Sequence, residues 1–129
     1  MAAHRRARAR RAVRSFVEGQ WPESEWEPVL RDLVDDIELV TAELIANSVR
    51  HGATPVSLHV ATDADSGCRS VTLVARDGGE WDETDSDPDG GRGLLLVRAL
   101  SARLDVERGG LGTTVRVRLE RAWPPGLPR

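Results

Sequence analysis

From Val29 onward, apolar residues recur every three or four positions, at Leu33, Ile37, Val40 and Leu44. That spacing puts them on one face of a helix turning about 100° per residue. Toward the C-terminus the same face turns polar. Asn47, Ser48 and His51 fall on or beside the line of Leu33, Ile37 and Leu44, and Glu43 sits on its edge one turn before Asn47. Buried without partners, such groups cost roughly 1–3 kcal/mol each, more for a charge. Something polar is therefore expected opposite the last two turns. Gly52 supplies the C-terminal cap, and Ser24 or Pro28 opens the helix.

A shorter helix is expected before it, running through Val13, Phe16 and Val17 to a break at Trp21-Pro22. After it the period changes from helical to alternating. Val56–Val60 and Ser70–Arg76 read as strands of one hairpin, with turn chemistry from Asp63 to Gly67. Within the first strand, His59 shares the polar face with Ser57 and Ala61 and reads as a surface residue. Leu104–Arg108 and Thr113–Leu119 form a second alternating pair around Gly109–Gly112. Between the hairpins lies a polar stretch from Asp82 to Gly91, read as a loop or lid, then an apolar helix from Leu94 to Leu100. The segment from Trp123 to Pro128 reads as a disordered tail, which leaves residues 1–122 as a single domain.

Composition narrows the chemistry. The 129 residues carry a net charge of −3, and all eighteen basic residues are arginine. Without lysine there is no Walker A phosphate loop, no protein-kinase strand lysine and no Schiff base. The acidic balance argues against direct nucleic-acid binding. Six arginines between Arg5 and Arg14 read as the solvated side of the first helix rather than as an arm for nucleic acid or acidic lipid. The single Cys68 excludes an internal disulfide, which makes a reducing cytoplasm the expected location. No apolar run is long enough to span a membrane, and no signal peptide follows the basic start.

Two loops carry candidate chemistry. Asp77-Gly78-Gly79 ends a strand with a carboxylate followed by glycines, which places an acid at a pocket mouth and lets a ligand approach the backbone. Gly90-Gly91-Arg92-Gly93 leads into the apolar helix, where free N–H groups and the helix dipole favour phosphate. The acidic run from Asp82 to Asp89 lacks the spacing and terminal Glu of an EF-hand.

Taken together these stretches carry a resemblance. Glu43-Leu44-Ile45-Ala46-Asn47 resembles the N box of the ATPase superfamily that unites gyrases, heat-shock chaperones, histidine kinases and mismatch-repair proteins. Asp77-Gly78-Gly79 resembles its first glycine box, Gly91-Arg92-Gly93 the second, and Gly112-Thr113 the Gly-Thr before the last strand. The wording around Asn47 and Gly93 is most similar to anti-sigma-factor serine kinases. The resemblance implies an α+β two-layer sandwich: a mixed, mostly antiparallel sheet with helices on one face, and ATP held between the layers.

By position it also implies roles. Asp77 would accept the adenine amine, Gly79 would admit the base, and Thr113 would support the same carboxylate or a bridging water. Asn47 would supply an oxygen to Mg²⁺, and Glu43 would act as general base. Gly91 and Gly93 would hold phosphates, with Arg92 neutralising charge on the transferred group. The implied function is an ATP-dependent serine/threonine protein kinase acting on a small anti-sigma antagonist of the STAS type and sequestering a sigma factor, as a homodimer. The alternative is an ATP-binding interaction module without phosphotransfer. Trp81 stands where the first glycine box usually has a further glycine.

Overall fold

The computed structural model describes residues 2–21, 28–51, 57–65, 67–78, 95–109 and 112–122, without the side chains of 2–5, 49–51 and 108. Helix α1 spans Ala2–Gln20 and helix α2 Pro28–His51. Strands β1 (Ser57–Ala64) and β2 (Cys68–Asp77) follow. Residues 95–100 are helical (α3), and strands β3 (Arg103–Gly109) and β4 (Gly112–Ala122) close the chain. The sheet is four-stranded in the order β1-β2-β4-β3, and its three pairings are antiparallel.

Proline at the first position of α2 loses no hydrogen bond, because the first N–H groups of a helix have no intrahelical partner. From there Leu30, Leu33, Val34, Ile37, Val40 and Leu44 are fully buried, as the 3.6-residue period predicts. The partners of this line lie on the sheet. Val71, Leu73 and Ala75 of β2 stand beside Leu119, Val117 and Val115 of β4, all buried. Leu58 and Val60 of β1 and Leu104 and Val106 of β3 pack against the edges of the same cluster. The strand alternation therefore has one buried and one solvated face, and the helices cover the buried one. This is the two-layer α+β arrangement expected from the sequence.

Helix α1 lies antiparallel to α2 and adds Val13, Val17 and Trp21 to the core. Arg14 bridges the two helices, its Nη1 donating to Glu38 Oε1 of α2 at 2.8 Å while its Nε donates within α1 to Glu18 Oε1 at 2.7 Å. The first helix forms as expected, but Phe16 does not join its buried line and stays 40% exposed. At about 100° per residue Phe16 falls on the flank of α1 opposite Arg14, which is also away from α2.

The first hairpin is tighter than its sequence suggests. β1 runs on to Ala64, so Asp63 pairs with Ser70 inside the ladder instead of opening the turn. The turn itself is made by Asp65, whose Oδ1 accepts from Gly67 N at 2.8 Å while its own N–H donates to Cys68 O at 3.1 Å. Asp63 is compatible with an exposed edge-strand position, where a charge costs little and discourages unwanted pairing. His59 is exposed beside Ser57 and Ala61, as the alternation requires.

One core position breaks the apolar pattern. Thr41 is fully buried on α2, and its Oγ1 has no hydrogen-bond partner among the described residues. Replacing an orphaned buried hydroxyl by a methyl of similar shape is neutral to stabilising. Thr41→Val is expected to raise stability by up to about 1 kcal/mol in urea denaturation, whereas Ile37→Ala should lower it by about 2–5 kcal/mol.

Candidate functional site

Both layers change from apolar to polar at the same end. On the sheet, the inner-face row after Ala75–Val115 is Asp77–Thr113, a register pair of β2 and β4. Asp77 is 6% exposed and Thr113 1%. A carboxylate and a hydroxyl have replaced the valines and leucines of the preceding rows, and each is engaged in polar interactions there.

The direction of α2 brings its polar end to this row. Near its start, Asp36 receives a hydrogen bond and ion pair from Arg121, which sits at the opposite end of β4 beside Arg69. From Asp36 the helix advances about 18 Å to Ser48 at 1.5 Å per residue. β4 covers about 26 Å from Arg121 back to Thr113 at 3.3 Å per residue. The last turns of α2 therefore lie over the Asp77–Thr113 end of the sheet.

Those turns carry two separate groups. Ser48 continues the sheet-facing line of Leu30, Ile37 and Leu44. Asp36, Glu43 and Asn47 lie about 100° round the helix, on the flank that meets β4 and away from α1. Asn47 is 3% exposed and Ser48 1%, and among the described residues neither Asn47 Nδ2 nor Ser48 Oγ has a hydrogen-bond partner. Which amide atom of an asparagine carries oxygen is an assignment from its hydrogen bonds, so the finding is a buried carboxamide with one polar end unsatisfied. Glu43 is half-buried. An unsatisfied buried polar group is rare in a finished fold, and here two adjacent residues supply one each.

The donor set fits a phosphorylated ligand with its cation. Among the described residues no cluster of three or more His, Cys, Asp or Glu can hold a metal. A metal at this end would rest on the Asn47 carboxamide and on oxygens brought by the ligand, which is the way Mg²⁺ is usually held.

Of the residues expected from the sequence, the structure brings Asn47 and Glu43 on α2 to the end of the layers where Asp77 and Thr113 stand. Gly79, Gly91, Arg92 and Gly93 lie outside the described residues, as do Trp81, the lid from Asp82 to Gly91 and the tail from Trp123. Two contributors were missed by sequence reasoning. Ser48 was placed on the polar face without a role, although its position on the core line marked it for burial. Gly112 was noted only as part of a motif, and its role is steric. Its φ is +125°, and a Cβ there would lie 2.0 Å from the Asp77 carbonyl oxygen and 3.0 Å from Gly78 Cα. No side chain fits without pushing Asp77 out of its row.

Cys68 stands apart from the site, at the far end of β2. Burial first, and then the charges of Glu120 and Asp65, push its thiol above the ordinary range, so it is a poor nucleophile at neutral pH.

The steric finding gives a test. Gly112→Ala is expected to cost more than about 1 kcal/mol and to shift the backbone amide signals of Asp77 and Gly78, read by chemical denaturation and amide NMR. Unchanged signals would remove the close approach.

A family model described as histidine kinase-like ATPase domain matches residues 2–119. Among solved structures, the chain is similar to the blue-light activated histidine kinase of Erythrobacter litoralis EL346. The identity is 26% over 68% of this chain and 30% of that one, with a TM-score of 0.50. The histidine kinase domain of the same protein matches at 26% identity over 67% of this chain and 43% of that one, with a TM-score of 0.48. The histidine kinase AdeS of Acinetobacter baumannii matches at 18% identity over 67% and 46%, with a TM-score of 0.47. This chain thus spans less than half the length of each. No curated protein matches. The polar end of the layers and the family match converge on nucleotide binding, and the chain belongs to the histidine kinase-like ATPase domain family, for which ATP is the implied ligand.

Proposed function

We propose that this chain is an ATP-dependent serine/threonine protein kinase of the anti-sigma type, which phosphorylates a small antagonist protein and holds a sigma factor. The observation that supports it is the pairing of Glu43 with Asn47 on one flank of α2, over the Asp77–Thr113 end of the sheet. Asp77 accepts the adenine amine and Thr113 stands beside it. Asn47 would hold Mg²⁺ through its carboxamide oxygen, and the ion would neutralise phosphate charge. Glu43, a turn away, orients the hydroxyl of the partner's serine or threonine and takes its proton as that oxygen bonds to the γ-phosphorus. ADP leaves as the bond to the bridging oxygen breaks. Gly91, Gly93 and Arg92 are assigned to the phosphates from their sequence motif.

A second reading keeps nucleotide binding and drops transfer. Asp82, Glu83, Asp85, Asp87 and Asp89 place five acids in the stretch from Asp82 to Gly91, and like charge near a polyphosphate weakens its binding. In that reading ATP is a conformational ligand for a protein partner.

Calorimetry should show Mg²⁺-dependent ATP binding with a preference over GTP, and Asp77→Asn should weaken it by at least about 1.5 kcal/mol, the loss of a charge-assisted hydrogen bond. Equal affinity for ATP and GTP would sink the adenine assignment. With a captured antagonist as substrate, Glu43→Ala is expected to keep ATP binding while radiolabelled γ-phosphate transfer falls 10²-fold or more, on the order of a lost general base. Nucleotide-dependent partner binding by the wild type without transfer would leave the switch.

A further inference from the structure

Two hydroxyls on α2 share one anomaly and differ in surroundings. Thr41 Oγ1 and Ser48 Oγ are both sealed from solvent, and neither has a hydrogen-bond partner among the described residues. Thr41 lies among Ile37, Val40 and Leu44 in the middle of the apolar face. Ser48 lies about 10 Å further along the helix axis, where the sheet beneath passes from Ala75 and Val115 to Asp77 and Thr113. An orphan in an apolar setting is a defect of the core. An orphan at the end of the layers that also holds a buried carboxylate and a hydroxyl is a candidate member of a polar set there.

The chemistry of that set selects what completes it. Asp77 is a buried carboxylate, which repels phosphate oxygens and attracts N–H donors. The rows before it, Ala75 and Val115 on the sheet and Leu44 on α2, are buried and apolar. Asn47 and Glu43 lie on another flank of the helix, where phosphates and a cation are not confronted by Asp77. Ser48 therefore faces the end that takes a heterocycle. A carboxylate acceptor next to a hydroxyl donor matches an amino group next to a ring nitrogen, the alternation on adenine's edge.

We propose that Ser48 is a base-contacting residue, its hydroxyl donating to a ring nitrogen of the bound adenine while Asp77 accepts from the amine. This rests on the ATP-binding reading above and adds a recognition contact to it. The hydroxyl carries its desolvation cost in the free protein and recovers it when the base arrives. Ser48 thereby trades stability of the empty protein for affinity. That sign pattern separates it from a structural hydroxyl, whose removal would lower stability.

The test uses three probes: ATP with Mg²⁺, adenosine alone, and pyrophosphate with Mg²⁺. Each is titrated by calorimetry against wild type, Ser48→Ala, Ser48→Cys and Thr41→Val, with thermal melts of the free proteins. Ser48→Ala is expected to raise the melting temperature and to weaken ATP and adenosine by the same factor, about three- to tenfold for one hydrogen bond. Pyrophosphate binding should not change. Ser48→Cys keeps the volume but donates weakly, so it should show the same loss even if alanine perturbs the helix end. Thr41→Val should raise the melting temperature and leave all three affinities alone. Adenosine affinity of Ser48→Ala within 1.5-fold of wild type overturns the proposal, and so does a loss confined to pyrophosphate or one shared by Thr41→Val. Failure of the wild type to bind ATP or adenosine overturns the ATP-binding reading itself, which is a separate result.

Discussion

The burial of one line of side chains on α2 against two strands governs this molecule. Leu30, Leu33, Ile37, Val40 and Leu44 meet the inner rows of β2 and β4, and none of these residues reaches solvent. At about 25 cal/mol per Å² of apolar area, that interface supplies most of what holds the layers together. It also sets their relative position, since close-packed apolar surfaces slide only at the cost of voids. Apart from Thr41, the buried polar side chains of the inner faces then gather at the two ends of the contact.

The ends are treated differently. At one, Arg121 of β4 meets Asp36 of α2 across the layers, and Arg69 donates to the carbonyl oxygens of Asp65 and Cys68. These groups answer one another. At the other, Asp77 and Thr113 sit in register and Gly112 brings β4 against the Asp77 backbone, while Asn47 and Ser48 each retain an unanswered polar atom. That unmet capacity on two adjacent residues makes the second end the candidate binding site. Unmet hydrogen-bonding capacity in a dry setting is costly to the empty protein and favourable to whatever completes it.

Much of this could be read from the residues. The change of period from 3.6 to 2 near Gly52 located the helices and strands, and the polar turn at the end of the apolar line marked buried polar groups there before any strand was placed. Burial of Asn47, Asp77 and Thr113 at one end of the layers follows from register, which the alternation of β2 and β4 allows but does not dictate. Three features were beyond the sequence for identifiable reasons. The steric role of Gly112 depends on how closely β4 approaches β2. The Asp36–Arg121 pair joins residues that no local pattern links, and Phe16 is apolar yet exposed because its helix flank faces away from α2. Asp63 looked like turn chemistry because aspartate is common in turns; the hairpin turns two residues later.

The same topology has a kinetic side. α1 with α2 and β1 with β2 are neighbours in the chain and close small loops, while β2 with β4 requires the intervening segment and β3 to be gathered in first. Arg121 finds Asp36 across 85 positions. Contacts of such sequence separation carry the largest closure entropy and form late. The groups of the site are drawn from α2, β2 and β4, so they become a site only when the slowest pairing of the fold is complete. On the proposed reading of this end as the nucleotide site, a newly made chain is blind to nucleotide until β4 has docked, and ligand capture would report that folding has finished.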